Sequence, residues 1–427
     1  MLKINQFLFL IAVLIVVCFC GFSGSATAKM NNVMLERVTV EDGLAQASAQ
    51  AIAQDKQGYI WFGTENGINI YDGYKVSTLM GPDNDFNKFS VNNIYVASDG
   101  LVWISLSGKG LYSYNPLTEE YQLIFSIGFN KNDLEIWRII EDKKNHSFWF
   151  LTENTAINYD AKSGVVIKKL DFTLYLSGAD MLYGLAILNE RLMFFSRAGT
   201  FVYNVEAEQI IQLPPVLHSP TAGSNFNELE SSKSYSAVFL NGHYYLGSND
   251  GVFSFSEQDL TAFLQAKSEY LPYKIAIENT SVWQLLATEN IIYVATTQGV
   301  YRIDTATHKN EFLFKFSEHF KAVADPSVIS LLVDSNGLLW MGSNSSGAYR
   351  WDPKSEIVTT YNYDYSNLNS LSHGNVTSIV STQKNRLWVG TNNGLNLINL
   401  VTDNIQRYLL NNNNKTTFTQ SNIYDIE

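Results

Sequence analysis

Cysteine is nearly missing from this sequence. Of 427 residues only Cys18 and Cys20 are cysteines, and both fall within the first 28. A chain cut after Ala28 therefore has no disulfide, no thiol nucleophile and no thiolate metal ligand. The six histidines (His146, His218, His243, His308, His319 and His373) are dispersed, with no pair at metal-ligand spacing. No G-x-S-x-G elbow, phosphate-cradling glycine loop or H-E-x-x-H occurs. Asp83-Asn84-Asp85 resembles the start of a calcium loop but lacks its glycine and closing glutamate, so it reads as a solvated acidic loop. Basic residues are also scarce, 29 against 41 acidic for a net charge of −12, and they form no cluster able to track phosphates. These absences argue against nucleic acid as a partner, against a metal or cofactor, and against an enzyme.

Long apolar runs are missing too, except at the start. Lys3 supplies a positive n-region, Phe7 to Cys20 an apolar core, and Ala26-Thr27-Ala28 a small-residue cleavage site. That run is short for a membrane span of about 20 residues. Residues 1–28 are thus expected to be a secretory signal peptide, and export without disulfides suits a bacterial periplasm.

What the chain does have is repetition. Trp61-Phe62-Gly63-Thr64 is followed by Gly67 and the alternating run Ile68 to Tyr71; Trp388-Val389-Gly390-Thr391 is followed by Gly394 and Leu395 to Leu397. Six further copies are anchored on Trp103, Trp149, Met193, Tyr245, Tyr293 and Trp340, roughly every 45 residues, the period of β-propellers and related arrays. In the Trp340 copy, Ser327–Asp334, Leu338–Ser343 and Ala348–Trp351 read as strands separated by turn residues, and Ile357–Tyr363 as an outer strand. One short helix is expected near Gln258–Glu269. The fold class is all-β: a β-propeller of four-stranded antiparallel blades, in which each anchor packs between blades and the later glycine (Gly67, Gly199 or Gly251) opens a hairpin turn.

Eight anchors fit either a single eight-bladed ring or a seven-bladed ring followed by the start of a second. The second organisation gives a propeller of about seven blades over residues 29–365. Residues 366–427 then hold a further repeat and the truncated start of the next. Leu35–Val40 is available as an outer strand to close the ring. Ser421–Glu427 restarts a first strand, so the chain reads as the N-terminal part of a longer protein. Residues 213–234, with Pro214-Pro215, read as a long surface loop.

The opening Leu35–Leu44, then Ile52–Thr64 and Gly67–Tyr74, resemble the two-component regulator propeller repeat. This resemblance implies the periplasmic sensor region of a hybrid histidine kinase or a membrane diguanylate cyclase. It also implies two seven-bladed propellers, an immunoglobulin-like domain, a transmembrane helix and a cytoplasmic output module, with homodimerisation through the receptor. Of these roles only ligand sensing is expected of the propeller repeats themselves; the membrane is reached through segments downstream.

Two tryptophans outside the anchor pattern mark a candidate site. Alignment of the copies puts Trp137 and Trp283 at the same place, near the mouth of the channel, beside Arg138 and Gln284. Aromatic walls with polar handles suit a small polar ligand such as an oligosaccharide. Loops leading into the inner strands add Asn87 and Asn375. Ligand-sensing propeller, secreted interaction scaffold and propeller lyase or hydrolase are the three functions to compare.

Overall fold

The structure is a computed structural model. It describes residues 35–408, except 127–134, 177–179, 206, 214–233, 269–270, 315–326, 355–360 and 383–384, together with 423, 424 and 426. The proposed signal peptide, the 214–233 segment, most of the expected 357–363 strand and most of 421–427 lie outside the described residues.

The described residues form eight four-stranded antiparallel sheets. The sole α-helix among them, Glu257–Leu264, is capped by the Ser256 hydroxyl and lies where the sequence places it. Two compact units divide the chain, residues 33–355 and a second that includes 356–427.

The larger unit is a seven-bladed ring. Its inner strands are Ala51–Gln54, Val91–Val96, Arg138–Asp142, Leu182–Leu188, Ser234–Leu240, Val282–Ala287 and Val328–Val333. Each contacts the next, and the seventh contacts the first. Blade seven is built from both ends of the unit. Glu36–Val38 supplies its outermost strand, pairing antiparallel with Ala348–Trp351 in the register Glu36↔Arg350 and Val38↔Ala348. The outer strand expected at 357–363 is therefore supplied by the N-terminal segment. The Arg37 guanidinium donates to the Ser346 carbonyl at 2.8 Å, and Arg350 pairs with Glu36.

Seven buried apolar clusters occupy the seven blade interfaces, because each sheet is apolar on both faces and needs a neighbour on each side. The anchors lie inside them. Trp61 meets Tyr114 of the next blade at 5.7 Å between ring centroids, Trp103 meets Phe148 at 4.4 Å, and Trp340 meets Phe62 of blade one at 5.8 Å. Trp61 and Trp340 also donate their indole N–H to Asp55 and Asp334, each at 2.8 Å.

The two glycines of the repeat do different work. Gly251 has φ +137° in its hairpin, a region that other residues rarely adopt. Gly63 instead permits close approach between blades: a Cβ there would lie 2.6 Å from a methyl of Val91 on the next inner strand. Gly342 does the same where the ring closes, and its Cβ would collide with the Ala49 carbonyl oxygen.

The smaller unit holds the eighth blade, Val376–Thr382, Arg386–Thr391, Gly394–Asn399 and Asn404–Tyr408. Ile423 donates its backbone N–H to Thr391 O at 3.0 Å and lies against Gly390, as Val91 lies against Gly63.

Candidate binding site in the channel

All seven inner strands of the larger unit open in the same way. Two residues oppose one on the second strand, so each strand starts with a β-bulge, as at Val282/Gln284 and Val91/Asn93. In blade three the Trp137 N–H bonds the Leu151 carbonyl at 2.8 Å while Arg138 is also opposite Leu151. In blade one Gln50 and Ala51 share Gly63. A bulge turns the strand and re-aims its side chains. The register puts Gln50, Asn92, Trp137, Tyr183, Tyr235, Trp283 and Ile329 at equivalent bulged positions.

The residue after each bulge faces the axis. Ala51, Asn93, Arg138, Gly184, Ser236, Gln284 and Ser330 all line a channel cavity of about 250 Å3. This is a little below the usual ~300–1,000 Å3 of small-molecule sites and suits a single ring-sized ligand. Trp283 and Tyr235 form one wall, with centroids 5.6 Å apart and planes tilted by 35°. Tyr183 continues the cluster edge-on to Tyr235 at 5.7 Å, and the Arg197 guanidinium covers Tyr183 at 5.4 Å. Trp283 remains 41% exposed although it is held in a ring of strands, the geometry of a stacking platform open to solvent.

Polar groups on this ring divide into two kinds. Those of blades five to seven are used in holding the ring together. Ser236 Oγ accepts from Leu285 N at 3.1 Å, and Ser330 Oγ donates to Ala49 O at 2.9 Å. The Gln284 amide accepts from Leu331 N at 2.8 Å and donates to Leu331 O at 3.3 Å. Gln284 thus lines the cavity but acts as a clasp between blades six and seven, and not as the free handle expected from sequence. Those of blades two and three are not so used. Among the described residues, Arg138 donates only to its neighbour's carbonyl, Trp137 O at 3.0 Å, and the buried Oδ1 of Asn93 has no partner.

Arg138 is encircled by protein, and this desolvation lowers its pKa, yet its side chain stays open to solvent through the cavity. A guanidinium remains charged under such a shift. Burial raises the phenol pKa values of Tyr95, Tyr183 and Tyr235, although Arg197 opposes the rise at the last two. These phenols stay protonated at neutral pH, so Arg138 is the single charge among the described residues that line the cavity.

The remaining expected site residues lie elsewhere. Trp137 occupies the bulge but does not line the cavity; it is half-buried, with its indole N–H unpartnered among the described residues. Asn87 is exposed on the short 3-10 turn Phe86–Lys88, where its backbone backs the hairpin at Gly67. Asn375 belongs to the smaller unit, exposed at the start of the eighth blade. Loop composition does not say which unit a loop serves, so neither joins the site. Sequence reasoning does not reach Asn93, Tyr183 and Tyr235. The two tyrosines carry a readable signal, since each stands ten residues ahead of its anchor, as Trp283 does. The acidic pair Asp83 and Asp85 is met by Lys109 at 3.2 and 2.8 Å.

Residues 43–66 and 370–393 match the family described as two component regulator propeller. Two segments of the chain thus match regulator propeller repeats. A stretch of 80 residues is 34% identical to Histidine kinase P4 of Formosa agariphila, covering 19% of this chain and 6% of that protein. The fold is similar to the extracellular domain of a hybrid two-component system of B. thetaiotaomicron, with TM-score 0.64 and 18% identity over 89% of this chain and 49% of that one. It is also similar to a streptogramin B lyase, with TM-score 0.54 and 12% identity over 74% of this chain and 96% of that one. The chain therefore spans about half the length of the two-component domain it matches. An extracellular domain of a two-component system and a lyase share this fold, so the fold by itself does not choose between binding and catalysis.

Proposed function

We propose that this chain is the ligand-sensing region of an extracytoplasmic receptor, exported to the periplasm by residues 1–28. It takes a small polar ligand such as the end of an oligosaccharide in its channel and biases a receptor whose output lies in other segments. The observation that carries this reading is the cavity itself. Seven inner strands converge on it, one wall is an exposed Trp283 stacked with Tyr235, and the facing blades offer unspent polar groups.

Likeness to extracellular domains of two-component systems supports sensing. The cavity lining supports binding over catalysis, since among the described residues it includes no histidine, cysteine, aspartate or glutamate to serve as general acid, base or nucleophile. Among the described residues no group of three or more such side chains is placed to hold a metal.

Thermal unfolding across a panel of mono- and oligosaccharides tests the proposal. A ligand at 100 times its Kd adds about 2.7 kcal/mol, a rise of several degrees in Tm. Trp283→Ala should abolish the rise while leaving the unliganded Tm nearly unchanged. Shifts that persist in Trp283→Ala would place binding outside the channel, and no shift with any saccharide would refute the reading.

A further inference from the structure

We propose that the channel is selective for a compact organic anion, a carboxylate that also carries hydroxyls, as in an acidic monosaccharide. Its charge rests on Arg138, a hydroxyl on Asn93, and its ring against Trp283 and Tyr235. This inference rests on the ligand-sensing reading and gives it a substrate class.

The first argument is charge. Lys109 bonds Asp83 and Asp85, Arg191 bonds Glu257, Arg302 bonds Glu311 and Arg350 bonds Glu36. Arg138 bonds no carboxylate among the described residues, although acidic residues outnumber basic ones, 41 to 29. Its side chain is open to solvent through the cavity, and among the described residues most of the donors of its planar fork are unused. A carboxylate matches that fork with two parallel hydrogen bonds. One guanidinium balances one negative charge, which favours a monoanion over a doubly charged phosphate ester.

The second argument is the pattern of the ring. Ser236, Gln284 and Ser330 each reach to the following blade, at Leu285, Leu331 and Ala49. Asn93 and Arg138 occupy the same ring on adjacent blades and make no such bond, nor do they bond each other. An orphaned amide oxygen, buried at the cavity wall, calls for a donor. A ligand that brings both an acceptor with charge and a hydroxyl donor satisfies the two at once. Gly184, the next ring position, adds no polar group of its own; a Cβ there would meet the Tyr235 carbonyl oxygen at 2.5 Å, so it lets the neighbouring blade approach. The cavity, about 250 Å3, admits one ring and not a longer chain.

The test uses the whole chain with D-glucuronate, D-glucose, acetate and glucose 6-phosphate, read by calorimetry and by indole fluorescence. Glucuronate is expected to bind at least tenfold more tightly than glucose, or about 1.4 kcal/mol. Acetate should bind more weakly than glucuronate. Arg138→Met should remove the preference for glucuronate while leaving glucose unaffected, and Arg138→Lys should restore part of it. The unliganded Arg138→Met protein should be about as stable as the parent, because among the described residues this solvent-open side chain bonds only its neighbour's carbonyl. The proposal is overturned by equal affinity for glucuronate and glucose, by tighter binding of glucose 6-phosphate, or by unchanged glucuronate binding in Arg138→Met. A large loss of stability in that variant would overturn it too, by assigning Arg138 a structural role. Neutral saccharides that bind where glucuronate does not would sink this inference and leave ligand sensing standing; failure of both classes would sink both.

Discussion

A missing carboxylate in the second blade provides a two-way test of how the blades are held. In blades one and seven, one oxygen of Asp55 or Asp334 accepts the indole N–H of Trp61 or Trp340, at 2.8 Å in both. The other oxygen accepts two backbone N–H groups of the intervening turn, Gln57 and Tyr59 at 3.0 Å, or Asn336 and Leu338 at 2.9 and 3.0 Å. Blade two has the same turn, with Ala97 N bonded to Leu101 O and Gly100 N to Ala97 O, both at 2.9 Å. Alanine stands at the carboxylate position, and the buried Trp103 indole N–H has no partner among the described residues.

Replacing Asp334 by alanine removes three charge-assisted bonds and orphans a buried donor. Leaving such a donor unpaired costs about 1–3 kcal/mol, and the lost turn bonds raise the total to on the order of 3 kcal/mol. Ala97→Asp is the reverse change. Its gain is smaller, on the order of 1 kcal/mol, because Asp99 already accepts from Leu101 N at 2.9 Å and its charge opposes a second carboxylate nearby. Urea unfolding of both variants measures the two energies, and hydrogen exchange at the Trp103 indole reports whether the new bond forms. A neutral Asp334→Ala, or an Ala97→Asp that destabilises without slowing that exchange, would refute the reasoning.

Gly342→Ala should cost more than Gly63→Ala in urea unfolding, by 1 kcal/mol or more on the ~1–3 kcal/mol scale of overpacking, because a new methyl at 342 meets the Ala49 backbone whereas one at 63 meets the Val91 side chain. Deleting residues 36–38 bares the edge of Ala348–Trp351, so the shortened protein should lose thermal stability and associate with rising concentration in size-exclusion chromatography. Glu257 feels opposing effects: burial alone would raise its pKa, but hydrogen bonds from Arg191, Tyr244 and Thr261 bring it down to about 2. With the folded value below the unfolded one near 4.5, its contribution is complete above about pH 5 and lost as pH falls toward 2, on the order of 3 kcal/mol. Glu257→Gln should flatten the acid limb of the stability profile, and an unchanged limb would contradict the assignment.

Much of the architecture was legible because it is periodic. The strands around Trp340 and the helix between the third and fourth strands of blade five follow from local pattern alone. The choice between seven and eight blades in the ring was not local. It turned on a pairing of Glu36 with Arg350, which no window of sequence contains. The site was readable in part for the same reason. Trp137 and Trp283 share a strand position, yet Trp137 stays outside the cavity lining while Trp283 forms a wall. Gln284 is a polar residue beside a tryptophan, but its amide is engaged by Leu331, 47 residues away. Asn93 looks like any strand asparagine until the bulge at Asn92 fixes which neighbour faces the axis.

The shared seventh blade also governs how the ring can be made. A chain leaving a ribosome or a translocation pore emerges from its first residues onward, and Glu36 then waits for Arg350, 314 residues later. Until that strand arrives, six blades stand with open faces at both ends, each an apolar sheet without its neighbour. Contacts of such long separation form slowly. Closure is thus expected to be the last and slowest event of folding, and the step at which chaperones have the most to protect.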